Sequence, residues 1–391
     1  MNWAYVLVGV ADATLLPFIP LYLLERGMSA AMIGLVLAAS ASAAVAAGLG
    51  WAYLADRKVR PERLVVLATI VAALVALLII PFREGIWLAV VIVVLTIARS
   101  PLSLLDPIAL RKLRVTSRTD YARIRLRMSA GWAASVIVAG AAYQAYGLWL
   151  IPYLYAPLSV GVGLWVWRAI KPDRAVEPAE PKAAARPAVA RRVPAAMLGF
   201  LGGCLLLGVS LAATQNFLTL QISYLGGGAL LVGAAAAFQA LTEIPTMGYT
   251  HVLTRFLSHR VLFAIGCSIY VVIFVAWAFV SSALVAALLK LVVGVAFALT
   301  YVAAVTIAND LTPARLRATG QALLKSVLFG LAPIIGALGG GVVYGTFGPP
   351  AMFLAATVVV GAAGVIAVVA VPARKRPAVE EPVLATSPAT P

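Results

Sequence analysis

The sequence predicts an all-α membrane protein of twelve transmembrane helices, set out as two six-helix bundles in a parallel repeat with both termini cytoplasmic. Three observations carry that prediction. The 391 residues are 63% hydrophobic and only 11% charged, too little polar material to cover a water-soluble globule of this size. Apolar stretches of roughly 20 residues recur, each long enough to cross about 30 Å of hydrocarbon at about 1.5 Å per residue. The basic residues, finally, gather in alternate connections. Runs such as 64–80 are apolar on every face, which excludes the alternating pattern of a membrane β-barrel, and an open strand would leave backbone groups unpaired in lipid.

In chain order the spans fall near 3–24, 30–54, 64–82, 86–110, 128–146 and 149–168, then 196–223, 228–254, 261–280, 283–308, 319–344 and 350–372. The first has no basic segment before it and no small-residue cleavage site, so it reads as a retained helix rather than a signal peptide. The second runs into Arg57, Lys58, Arg60 and Arg63, and the fourth into Arg111, Lys112, Arg114, Arg118, Arg123, Arg125 and Arg127. Between the sixth and seventh, 169–195 is rich in Pro, Ala and mixed charge and cannot bury enough apolar surface to fold; it reads as a cytoplasmic linker between bundles 1–168 and 196–372. Arg255 and Arg260 follow the eighth span, and Arg315, Arg317 and Lys325 the tenth, while 373–391 reads as a disordered cytoplasmic tail. Odd-numbered connections are nearly bare of basic residues. Of the 30 basic residues only Arg26, Arg83, Arg99 and Lys290 depart from the pattern, so the positive-inside rule makes the basic side cytoplasmic. The net charge of +16 thus marks topology in a multi-pass cell-membrane protein, not a nucleic-acid surface.

The two bundles look like copies. Gly27 and Gly226, Gly34 and Gly233, Leu54 and Leu253, Arg118 and Arg317, and Gly131 and Gly330 are each 199 positions apart. Parallel six-helix repeats occur in transporters whose two bundles rock around a central site.

The stretch Leu54-Ala-Asp-Arg-Lys-Val-Arg between the second and third spans resembles the signature loop of the major facilitator superfamily. Asp56, Arg57 and Arg60 match; Ala52, Val59 and Pro61 stand where the pattern has two glycines and a last basic residue. Within that superfamily, Tyr121-Ala-Arg-Ile-Arg-Leu-Arg-Met-Ser-Ala-Gly at the start of the fifth span is similar to an element of the sugar:proton and nucleoside:proton symporter branches. Leu241-Thr-Glu-Ile-Pro in the eighth span is similar to the same group, although Ala122 and Met128 replace the usual glycines. The resemblance implies a secondary transporter working by alternating access, with a gating role for Asp56, Arg57 and Arg60. Its partners would be a small-molecule substrate, protons and the bilayer, with no cofactor and no nucleic acid, and it would act as a monomer.

Charges inside hydrocarbon cost about 3 kcal/mol or more unless paired or hydrated, so those few are the first functional candidates. Asp12 lies about nine residues, roughly 14 Å, from the cytoplasmic start of its span, and Arg99 and Glu243 about eleven residues, roughly 16 Å, from the cytoplasmic ends of theirs. All three reach the midplane. Asp12 and Arg99 are expected to pair, either across a cavity, with Asp12 coupling protons and Arg99 binding substrate, or as an ion pair that fixes helix packing. Glu243 has no cation at helical spacing in its own segment, and desolvation favours a neutral carboxyl, as a proton carrier requires. Alternatively it bonds the carbonyl freed by Pro245. Thr214, Gln215 and Asn216 form a polar cluster in the seventh span, and Gln239 precedes Glu243 by one turn; these suit a hydroxylated or amide-bearing solute, or bonds between helices.

Asp106, seven residues beyond Arg99, suits a gate or loop contact near the cytoplasmic surface. Lys290 and Lys325 read as side chains that snorkel to water. Cys204 and Cys267 act as small apolar residues, two histidines make no metal site, and the glycine run 336–341 permits close helix approach. A membrane-embedded transferase would need an acidic metal-binding cluster or a nucleophile with its base; the acidic residues outside the tail pair Glu380 and Glu381 are scattered singly. The sequence therefore points away from an enzyme and toward proton-coupled symport, with proton-antiport export of a drug or metabolite as the other transport reading and a transport-dead sensor as the third.

Overall fold

The computed structural model describes residues 2–57, 59–82, 84–106, 108, 118–169, 194–313 and 316–372. Lys58, Arg83, Arg111, Lys112, Arg114, Arg315, the linker residues 170–193 and the tail 373–391 lie outside them, as do the side chains of Asp56, Arg57, Arg118, Arg123 and Arg125. Every regular element among the described residues is helical, and nine segments there are long and apolar enough to cross a membrane.

The first segment is broken where a continuous helix was expected over 3–24. Helix α1 (Asn2–Ala13) gives way to a 3-10 turn at Leu16–Phe18 before α2 (Ile19–Glu25). Pro17 and Pro20 have no N–H to donate, so the helical ladder cannot continue through them. The Phe18 N–H bonds back to the Leu15 carbonyl, and the Thr14 carbonyl accepts instead from the Tyr143 hydroxyl at 2.7 Å. A polar group buried in apolar surroundings is thereby satisfied by a neighbouring helix.

Helices α3 (Ala30–Arg57), α4 (Pro61–Leu77) and α5 (Gly85–Arg99) follow. The helix expected to run to 110 stops at Arg99, where a 3-10 turn over Ser100–Leu104 carries Pro101. Then come α6 (Arg118–Tyr146), α7 (Ile151–Ala169), α8 (Ala195–Tyr224), α9 (Ala229–Leu253) and α10 (His259–Phe279). Short α11 (Ala283–Leu288) and α12 (Lys290–Leu311) share one apolar segment. Helix α13 (Arg317–Ser326) passes through a π turn at Val327–Leu331 into α14 (Ala332–Ala370), which bends at Gly348 (φ 85°) ahead of Pro349 and Pro350. Only glycine adopts that backbone without strain, and the two prolines leave the next turn without donors.

Among the N-terminal helices, α6 and α7 pack on α1, α4 packs on α7, and α5 on α3 and α4; among the C-terminal ones, α14 packs on α8 and α10, and α12 on α9 and α10. Two long pairs join the sets, α3 with α14 and α6 with α9, and α2 adds a smaller contact with α8. Both depend on missing side chains, because lipid supplies no hydrophobic force between helices and close backbone approach must replace it. A Cβ on Gly341 would lie 2.8 Å from the Gly34 Cα, and one on Gly140 would lie 2.8 Å from the Ala229 carbonyl oxygen. These close approaches sit at the ends bearing the bare connections. Toward the basic ends, Leu49, Tyr53 and Tyr249 are each more than half exposed.

Candidate functional site

A cavity of about 280 Å³ lies between the two sets of helices. The break between α1 and α2 turns Leu16, Pro17 and Pro20 into one wall, and Trp132 of α6 adds to it. The facing wall is one stripe of α9, Val232, Ala236, Gln239 and Glu243, spaced three to four residues apart as a helical face demands, beside Gln215 and Asn216 of α8. The floor is Lys290, the first residue of α12.

Lys290 corrects the sequence reading. Instead of snorkelling to water it is 6% exposed, and its Nζ donates to Gln239 Oε1 at 2.7 Å and to Gln215 Oε1 at 3.5 Å. Glu243 lies within hydrogen-bonding reach of Gln239 and Coulombic reach of Lys290. The two amide oxygens and the nearby carboxylate replace the water that an ammonium otherwise needs, so the charge can stay inside. The cation that Glu243 lacks within its own helix is thus supplied by α12. A signal was present: Lys290 lies about seven residues, roughly 10 Å, inside its span. Next to it, the Thr242 hydroxyl donates to the Leu291 carbonyl at 2.6 Å, tying α9 to the start of α12.

Gln215 and Asn216 also line a second cavity of about 260 Å³. Its far wall is aromatic: Phe297 and Tyr301 stack with ring centroids 5.6 Å apart, and Phe329 meets Tyr301 edge-on at 5.9 Å. Sequence reasoning passed over this wall and over Trp132. An aromatic pair four residues apart on a helix is commonplace, and only the tertiary fold aims it at Gln215 and Asn216.

Asp12 and Arg99 form an ion pair, with side chains 17% and 11% exposed, and the Arg99 guanidinium sits over the Tyr155 ring at 5.7 Å from its centroid. The pair ties α1 to α5 and α7. Neither residue lines the two cavities above, so Arg99 is not brought together with Gln215, Asn216 and Gln239 as a common set of ligands. Asp106 accepts from the Tyr5 hydroxyl at 2.8 Å, a contact back to α1. Thr214 turns away from the polar cluster, its hydroxyl donating to the Ser210 carbonyl of its own helix. Asp56 and Arg57 close α3, and Arg60 is exposed at the N-cap of α4.

The MFS_1 like family matches residues 2–355. No curated protein matches the sequence. Among solved structures, a single-residue mutant of the nucleoside transporter NupG superposes with a TM-score of 0.81 at 17% identity, over 94% of this chain and 97% of that one. Another NupG structure gives 0.78 at 18% identity, over 94% and 96%. A bacterial homologue of the human lysosomal transporter Spinster, in an inward-facing and unoccupied conformation, gives 0.60 at 16% identity, over 95% and 94%. At such identities the likeness is one of fold.

Proposed function

The chain belongs to the MFS_1 like family of the major facilitator superfamily, and from that premise we propose that it is a proton-coupled carrier, not an enzyme, which moves a small polar solute through the Glu243 cavity by alternating access. The supporting observation is the convergence of Gln215, Gln239, Glu243 and Lys290 on one cavity between the two sets of helices. Midplane polar groups at a bundle interface are what a rocking carrier needs.

In this reading residues 1–168 and 196–372 are two bundles of six crossings each, joined by 169–195, with the basic connections and both termini in the cytoplasm and the protein in the cell membrane. Three elements not counted singly by apolar length support the twelve: α4, one residue too short at 17; α6, a 29-residue helix that is not among the nine; and the bent segment Arg317–Ala370, which at 54 residues is long enough to cross twice about Gly348. The close glycine contacts between the sets at the bare ends support a carrier closed on that side and open on the other.

Glu243 is the proton site. With the proton on, its charge no longer opposes reorientation; with the proton off, Lys290 balances it. Gln215, Asn216 and Gln239 supply hydrogen bonds to the solute. The aromatic wall at Phe297 and Tyr301 beside those amides suits a planar heterocycle bearing a hydroxylated arm, and the likeness to a nucleoside transporter makes nucleosides the first class to test. The test places the protein in lightly buffered vesicles and records external pH on addition of nucleosides, sugars or cationic drugs, for wild type and Glu243→Gln. Substrate-dependent alkalinisation that disappears in the variant is the symport result. Acidification lost in the variant would mean exchange, and pH changes unaffected by the substitution would remove Glu243 from the coupling.

A further inference from the structure

A cavity of about 1250 Å³, larger than either solute cavity and sharing no residue with them, opens at the basic ends of the C-terminal helices, where the end of α9 meets the start of α10 and the ends of α12 and α14. Its two parts differ in chemistry. At the rim stand Arg255, exposed, and His259 and Arg260, half-buried; none of the three has an ion-pair partner among the described residues. Asp310 also borders the rim, so two guanidinium groups and an imidazole share it with one carboxylate. Beyond the rim the lining is aliphatic: Val261, Ile265, Ile269 and Val272 descend one face of α10 opposite Val292 of α12 and Val368 of α14. The one hydroxyl along that face, Ser268, is satisfied by the Ala264 carbonyl of its own helix.

We propose that this cavity is a binding site for an anionic glycerophospholipid of the leaflet on the basic side. The phosphate sits between Arg255 and Arg260, and one acyl chain lies in the aliphatic slot. Positive-inside topology alone would put arginines at this level, but it would not set them over an apolar slot between helices. The dimensions fit. Arg260 to Val272 spans about 18 Å at the α-helical rise, close to the roughly 15 Å depth of one leaflet's hydrocarbon. The excess of cations at the rim selects a headgroup with net negative charge over a zwitterionic one, and the aliphatic slot, which offers a free phosphate no partner, calls for a ligand with an acyl chain.

The test titrates the purified full-length chain in detergent with phosphatidylglycerol or phosphatidylcholine and counts bound lipid by native mass spectrometry. Phosphatidylglycerol should bind in preference. Arg255→Gln with Arg260→Gln should weaken it about thirtyfold, at about fivefold for each cation. Ile269→Trp, which fills the slot and keeps both arginines, should weaken it as well, and it serves on its own if the double variant does not fold. Arg60→Gln with Arg63→Gln, exposed cations at the basic end of the other helices, should leave lipid binding unchanged. Equal binding of the two lipids would overturn the proposal, as would an equal loss in the Arg60 and Arg63 control, which would assign the effect to diffuse surface charge. Competition by glycerol phosphate as strong as that by the lipid would overturn the acyl slot. A gain in lipid binding on deleting 373–391 would make the chain's own tail the occupant.

Discussion

If the carrier works by parting its two bundles, then tying the bare ends together must stop it, and the structure names the pair to tie. A Cβ built on Gly345 of α14 lies 3.6 Å from the Ala31 Cβ at the start of α3. Disulfides join Cβ atoms about 3.5–4.5 Å apart, so Ala31→Cys with Gly345→Cys should oxidise with only a small backbone adjustment, since the new Cβ meets the Ala31 nitrogen at 3.3 Å. The native Cys204 and Cys267 are buried and do not compete. Moving a two-state carrier from almost wholly one state to almost wholly the other takes about 5.5 kcal/mol, well within what a covalent tie withstands. Under oxidant, solute uptake into vesicles should therefore fall to the fraction of protein left uncrosslinked, measured as the gel shift after labelling free thiols. Reductant should restore it. A fully cross-linked protein that transports at the reduced rate would refute the idea that this end opens, and failure to cross-link at all would refute the packing of α3 on α14.

Two further substitutions address the buried charges. Asp12→Ala removes both the counter-charge and the acceptor of the Arg99 guanidinium while leaving it buried beside Tyr155, and should cost about 3–5 kcal/mol of stability in detergent unfolding, whereas Asp12→Leu with Arg99→Met should recover most of that loss. Single and double variants both within about 0.5 kcal/mol of wild type would show the pair contributes nothing to the fold, and transport by the double variant separates a packing role from a coupling one. Lys290→Met strips the Gln239 oxygen of its donor, costing about 1–3 kcal/mol, and should abolish net transport in vesicles while the protein still purifies as a monodisperse species; full transport would remove Lys290 from the solute site.

Much of the architecture was legible because a bilayer leaves few choices. Apolar length sets where a chain crosses, and unpaired backbone forces each crossing to be helical, so segments such as Ala195–Tyr224 follow from composition alone. Asp12, Arg99 and Glu243 announced themselves for the same reason, as charges that hydrocarbon penalises unless they are paired or hydrated. Even the ion pair of Asp12 with Arg99 could be anticipated, since two midplane charges of opposite sign have few other partners.

What the tertiary structure decided is which groups meet. Hydropathy treats Lys290 as a residue near a span end, and only the packing of α12 against α8 and α9 turns its ammonium to Gln239 and Gln215. Trp132 and the Phe297 and Tyr301 stack are ordinary helix residues until the fold points them at the amides of α8. Conversely Arg99, placed by sequence among the solute ligands, is held over Tyr155 by its ion pair, away from the two cavities. Composition settles what must lie in lipid, because transfer from water is a property of each segment alone. The arrangement of the site depends on helix rotation and crossing, which are set by close approaches such as Gly34 to Gly341 between residues three hundred positions apart, and no local pattern records those.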